Sequence, residues 1–237
     1  SGAGGQVQPN DNMIVWDYSQ VPQLQHLGVQ QQGEVNFSVK LKNDWIPLGT
    51  GADGTVIADE VNISQITQKF TIKVNSGLAI SQRGYFKSSD IQNSGPVPPQ
   101  VGKATTYTIN WEIKNYFSDA KNVKVKVTLP KNTSLTGQIM PENESTNFSF
   151  DSASREIVWS AGDILAGTGV NGDPVALSFQ ISLTPDSSQK GSTAPLIGQV
   201  QISGENQFTN TIITAQDNAI TTSLPDDFAN SGGGIIQ

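Results

Sequence analysis

The chain has 237 residues, enough for one or two domains, with 35% apolar residues, only 15% charged residues and a formal net charge of −7. That charge argues against a nucleic-acid partner, because phosphate contact needs a basic face. The absence of cysteine excludes disulfides, thiolate metal sites and cysteine nucleophiles. No apolar run approaches the roughly 20 residues that span a bilayer as a helix.

The chain opens on a flexible stretch, Ser1-Gly2-Ala3-Gly4-Gly5. A strand is expected over 13–19, followed by a short helical or 3₁₀ turn at Val21-Pro22-Gln23-Leu24. Val35, Phe37, Val39 and Leu41 alternate with polar residues, the period-two pattern of a strand with one buried face. A glycine-rich turn at 49–54 precedes strands expected over 55–64 and 69–76. Residues 88–101, with Pro96, Pro98 and Pro99, have the composition of a stiff linker.

Beyond it the alternation becomes longer. Tyr107, Ile109, Trp111 and Ile113 form one apolar face, and Val123, Val125, Val127 and Leu129 form another. Lys124, Lys126 and Thr128 fill the intervening positions of the second run, which reads as the wet face of a strand rather than a basic patch. A strand over 156–160 leads to a second expected short turn, Ala161-Gly162-Asp163-Ile164-Leu165. Leu177, Phe179, Ile181 and Leu183 alternate in the same way, and strands are expected over 196–203 and 208–215. No window carries a helical stripe. Many short strands with turns between them predict an all-β fold built of β-sandwiches.

Part of the chain is written twice. Ile14-Val15-Trp16 recurs as Ile157-Val158-Trp159, Phe37-Ser38-Val39-Lys40-Leu41 as Phe179-Gln180-Ile181-Ser182-Leu183, Val61-Asn62-Ile63 as Val200-Gln201-Ile202, and Ala79-Ile80 as Ala219-Ile220. Apolar positions hold while polar ones drift, which is the mark of a shared core. The second copy has a long opening, from about Pro98 to Phe150, that the first copy lacks. The expected organisation is two immunoglobulin-like antiparallel β-sandwich modules in tandem. Residues 1–87 would be a module truncated at its N-terminal end, 88–101 a Pro-rich linker, 102–224 a complete module and 225–237 a Gly-rich tail. The chain is read as cut from a longer array, with the tail leading toward a third module.

Four elements carry a family resemblance. They are the opening Val101-Gly102-Lys103-Ala104-Thr105-Thr106-Tyr107-Thr108-Ile109, the strand and turn Val123-Lys124-Val125-Lys126-Val127-Thr128-Leu129-Pro130, the crossing Ile157-Val158-Trp159 with Gly162-Asp163-Ile164, and the strand Leu177-Ser178-Phe179-Gln180-Ile181. In that order they resemble the conserved-repeat family known as domain of unknown function eleven. Thr128 and Trp111 depart from its usual pattern, which has Asp and a smaller residue there. The resemblance covers about 97–226 as a whole module and about 6–86 as a truncated one. It implies immunoglobulin-like modules of large bacterial or archaeal surface proteins, with no catalytic residues to carry over.

The residues themselves offer little chemistry. His26 is the sole histidine, lies in no Gly-x-Ser-x-Gly context and has no counterpart in the second copy. The acidic pairs Asp59-Glu60 and Asp226-Asp227 lack the ligand spacing of a calcium loop. Trp16, Trp111 and Trp159 lie in apolar strands and read as core. Trp45, in Asn43-Asp44-Trp45-Ile46-Pro47, has no repeat counterpart and is the candidate ligand contact.

The leading expectation is a non-catalytic structural repeat module of a secreted cell-surface stalk, envelope layer or filament, with no cofactor and no metal. Its partners would be neighbouring modules or like subunits, met by β-strand or end-to-end contact. The alternative is an adhesin-type or carbohydrate-binding module that meets surface glycans through exposed loops and Trp45. An enzyme is the third reading.

Overall fold

The structure is a computed structural model that describes residues 4–26, 28–40, 56–227 and 234–237. The chain divides into two units, Ser1–Ile46 and Pro47–Gln237. In the first, β1 (Gln6–Gln8) pairs antiparallel with β2 (Met13–Val15), and a 3₁₀ turn covers Pro22–Leu24. Trp16 is half-buried, with its ring 5.6 Å from that of Phe37. None of the described residues of this unit is buried. Over 35–40 only Phe37 makes a bridge, so the alternation that predicts a strand yields none there. A strand needs neighbours for its backbone groups. The matching strand of the second copy has one on each side.

The described residues of the second unit form the strands β3 (Val56–Ile63), β4 (Ile66–Lys73), β5 (Leu78–Tyr85), β6 (Thr105–Asn115), β7 (Ala120–Thr128), β8 (Thr133–Met140), β9 (Phe148–Asp151), β10 (Glu156–Ile164), β11 (Val175–Leu183), β12 (Pro195–Ile197), β13 (Val200–Asn206), β14 (Thr211–Asp217) and β15 (Ile220–Thr221). One sheet runs β14-β13-β7-β10-β9 and the other β5-β6-β11-β8, antiparallel throughout. Their inner faces make one core. Tyr107, Ile109, Val125, Val127, Trp159, Phe179 and Ile181, which the alternation places on inner faces, are all buried in it. Trp111 stacks on Trp159 with ring centroids 6.3 Å apart and meets Phe179 edge-on at 4.8 Å. The all-β sandwich expected from the strand patterns is therefore what the second copy forms.

The module is larger than 102–224. β5, a strand not anticipated within the expected first module 1–87, is an edge strand of the second, paired with β6 from Leu78↔Asn115 to Tyr85↔Thr108. Leu78, Ile80, Gln82 and Gly84 face inward in alternation. The segment expected as a linker, 88–101, is a strap laid across the outer face of β6 and β11. Ile91 and Pro99 are buried in it. Asn93 donates to the Phe86 carbonyl (3.0 Å) and Thr108 Oγ1 (2.8 Å), and accepts from Gln180 Nε2 (2.9 Å). Ser178 donates to Asp90 Oδ2 at 3.0 Å, and the Thr106 amide donates to the Ser94 carbonyl at 2.8 Å. Gly95 has φ +109°, and a side chain there would meet the Ala104 carbonyl at 2.5 Å, so the strap lies too close for anything but glycine. Thr108, Ser178 and Gln180, which would be wet on a bare sheet, are buried beneath it.

The tail also belongs to the module. Ile236 is buried in the core cluster. Its amide donates to the Ser192 carbonyl and its carbonyl accepts from the Gly191 amide, both at 2.9 Å. The Gln237 amide bonds the Pro99 carbonyl, and its carbonyl accepts from Val101, again at 2.9 Å. Ile235 bridges Thr193. Residues 161–164 of the expected short turn are in fact the end of β10, bulged after Ser160 as it follows β7.

Candidate functional site

Each polar side chain that the sandwich buries has a local structural task. Gln82 donates from Nε2 to the carbonyls of Gly198 (3.0 Å) and Asn218 (2.8 Å), and its Oε1 accepts from the Trp111 indole at 2.9 Å. One residue thus ties the edge strand to the core tryptophan and to the other sheet's connections. Gln82→Ala leaves the indole N–H and two carbonyls unpaired. We expect a loss of about 1–3 kcal/mol in thermal or denaturant unfolding.

Asn115 is fully buried and donates to the carbonyls of Ser118 and Ile164, both at 2.9 Å. Arg155 reaches the carbonyls of Leu129 (2.9 Å), Pro130 and Thr133 (both 2.6 Å), fastening the turn between β7 and β8. The Trp159 indole donates to Glu144 at 2.9 Å. Asp217 accepts from the Gln82 amide at 2.8 Å, and Asp227 accepts from the amides of Phe86 (2.8 Å) and Lys87 (3.0 Å). Asp227, read as half of an acidic pair, thus holds the end of β5. The described residues contain no group of three or more His, Asp or Glu able to hold a metal ion.

Electrostatic perturbations follow the same pattern. Hydrogen bonds from Ser19, Ala153 and Ser188 hold the carboxyls of Asp17, Asp151 and Asp186 below the ordinary range. All three are turn caps on the surface, and Asp186 completes a capping box with Gln189. Burial pushes the Tyr107 phenol up. Because the three folded carboxyls titrate below their unfolded values, their stabilisation is complete above the unfolded range. It is lost as the pH falls through the folded values. Acid titration of the unfolding midpoint should therefore show a decline beginning near pH 4 and continuing below it.

An open depression of about 530 Å³ lies beside the strap, lined in part by Asp90, Ile91, Gln92, Ile139, Met140 and Glu142. The residues that line it include no lysine, arginine or histidine. His26 follows the 3₁₀ turn of the first unit and is exposed. Trp45 lies outside the described residues. Trp111 and Trp159 are fully buried, as their strand positions require. What the sequence does not reveal is the network of Gln82, Asn93 and Asn115. A lone amide within a strand or a proline-rich segment carries no pattern that marks it as buried.

No family model and no curated protein matches the chain. Among solved structures it is similar to the full-length major pilin SpaD of Corynebacterium diphtheriae, at 13% identity and a TM-score of 0.37, covering 61% of this chain and 35% of that one. It is also similar to BcpA, the major pilin subunit of Bacillus cereus, at 12% identity and a TM-score of 0.37, covering 70% and 47%. A protein of the DUF4466 family from Parabacteroides merdae matches at 12% identity and a TM-score of 0.20, covering 62% and 45%. The chain spans less than half the length of each of these three. Likeness at TM-scores this low carries no argument about function.

Proposed function

We propose that the chain is a non-catalytic structural module of a secreted cell-surface protein, a piece of a stalk, envelope layer or filament built from repeats of the kind it resembles. The observation that carries this reading is the use of its polar side chains. Gln82, Asn93, Asn115, Arg155, Asp217 and Asp227 all bond backbone groups of other elements. They add stiffness to a sandwich whose core is already continuous. The internal repeat supports it as well, because arrays of similar modules extend a chain without new chemistry. Partners on this reading are like modules, met through strand edges or module ends.

The test is on the source cells. An antibody raised against the chain should label intact, unpermeabilised cells, and the epitope should be removed by external protease. Labelling only after lysis would contradict the reading.

A further inference from the structure

The loop from β10 to β11, residues 165–174, is held at its base and open at its tip. The Gly167 amide lies 2.9 Å from the carbonyls of both Asn115 and Tyr116, and the Asn115 amide donates to the Thr168 carbonyl at 2.9 Å. Gly169 has φ +69°, and a side chain there would meet Lys114 at 2.7 Å, so the loop presses against β6 at that point. Within the loop the amides of Val170 and Asn171 both donate to the Gly167 carbonyl, at 3.0 and 2.9 Å. Asn171, Gly172 and Asp173 then stand exposed. Among the described residues neither the Asn171 side chain nor the Gly172 amide has a hydrogen-bond partner. A side chain at Gly172 would meet nothing within 4 Å.

Asn171-Gly172 is the one Asn-Gly pair of the chain. In any such pair the backbone nitrogen of the second residue can close a five-membered ring on the side-chain carbonyl carbon of the first, so attack is intramolecular. It needs a nitrogen not engaged in a hydrogen bond, a side chain free to turn, and no Cβ crowding the approach. All three conditions hold at Asn171-Gly172. They fail at the Asn-Ser pairs among the described residues. Asn93 is bonded through both side-chain polar atoms, to Phe86, Thr108 and Gln180, and the Ser94 amide donates to Thr106 Oγ1 at 2.7 Å. Asn75 accepts from Thr209 and Thr211, and Ser76 is buried.

We propose that Asn171 is a site of spontaneous deamidation. The Gly172 nitrogen gives its proton to hydroxide and bonds Asn171 Cγ. The bond from Cγ to Nδ2 breaks and ammonia leaves, which closes a succinimide between the two residues. Water then opens the ring. Attack at the side-chain carbonyl gives aspartate. Attack at the main-chain carbonyl gives isoaspartate, whose backbone runs through the former side chain and is one methylene longer. Either product places a new negative charge two residues from Asp173, in the loop where Leu165 and Val170 are 68% and 47% exposed. The bonds that fasten the loop to β6 and the residue after it involve Gly167 and Thr168, upstream of the reacting pair, so the sandwich keeps its structure. The charge accumulates with time, and it does so wherever the protein resides.

The experiment incubates the whole folded chain at neutral and mildly alkaline pH and follows its proteolytic peptides by mass spectrometry over weeks. The peptide containing Asn171 should gain one dalton and separate into two species of equal mass, aspartate and isoaspartate. The rate should rise with pH, because the attacking nitrogen must lose its proton. Gly172→Ala, which has room for the added methyl group, should slow the change by about tenfold or more. Peptides containing Asn75 and Asn93 should stay unchanged in the folded chain. Asn171→Asp should melt at the same temperature as the parent. An Asn171 peptide that stays unmodified in the folded chain would overturn the proposal, as would modification of Asn75 or Asn93 as fast as that of Asn171. A lowered melting temperature for Asn171→Asp would contradict the tolerance of the sandwich for the product.

Discussion

Trp111→Ala should lower the stability of the sandwich by about 3–5 kcal/mol, the largest effect expected of any single truncation in the chain. The indole is fully buried, stacked on Trp159, set edge-on to Phe179 and bonded to Gln82. Its removal leaves a cavity shared by both sheets and orphans the Gln82 carbonyl oxygen. β6 is a central strand of its sheet, paired on both sides, so the backbone has little freedom to collapse into the space. Chemical denaturation should show an earlier midpoint with an unchanged slope, the signature of lost stability in a module that still folds. A change below about 1 kcal/mol would mean that the tryptophan cluster is not the centre of the core.

The second large effect is expected at the other end of the chain. Ile236→Asp should cost about 2–5 kcal/mol, because a buried apolar side chain is lost and a carboxylate enters an apolar slot with no partner. The cost has a ceiling, since the tail can leave its slot rather than bury the charge. Undocking forfeits the bonds of Ile236 with Gly191 and Ser192 and those of Gln237 with Pro99 and Val101. Ile235→Asp is the control. That neighbour is 54% exposed and points away from the core, so the same substitution there should stay within about 0.5 kcal/mol of the parent. Equal effects at the two positions would show that the tail does not dock as described.

How far the sequence revealed the fold depends on how many residues speak for each element. β6, β7 and β11 carry three or four inward aliphatic or aromatic residues each, and period-two alternation identifies them. The strap and the tail are each held by one or two apolar anchors, Ile91 with Pro99 in one and Ile236 in the other. A single anchor has no period. The rest of their attachment is hydrogen bonding by Asn93, Gln180 and main-chain groups, which composition does not show. Prolines and glycines therefore read as linker where the chain is in fact fixed.

The place of β5 is hidden in the sequence for a related reason. Ala79-Ile80 does match Ala219-Ile220, but the match says nothing about which sheet each strand joins. Residues 78–101, the end of the expected first module together with the expected linker, thus belong to the next sandwich. The candidate contact Trp45 rested on exposure and the lack of a repeat partner, and neither property fixes a geometry.

Hydrogen exchange on the whole chain, read segment by segment, tests the central claim that 78–101 and 234–237 are built into the same sandwich as 105–227. The amides of Val101, Thr106, Ile236 and Gln237 should exchange slowly and be released together with β6 and β11, because one cooperative unit opens as a whole. Fast, linker-like exchange across 88–101, with β6 and β11 still protected, would contradict it and restore a boundary between two modules at that point.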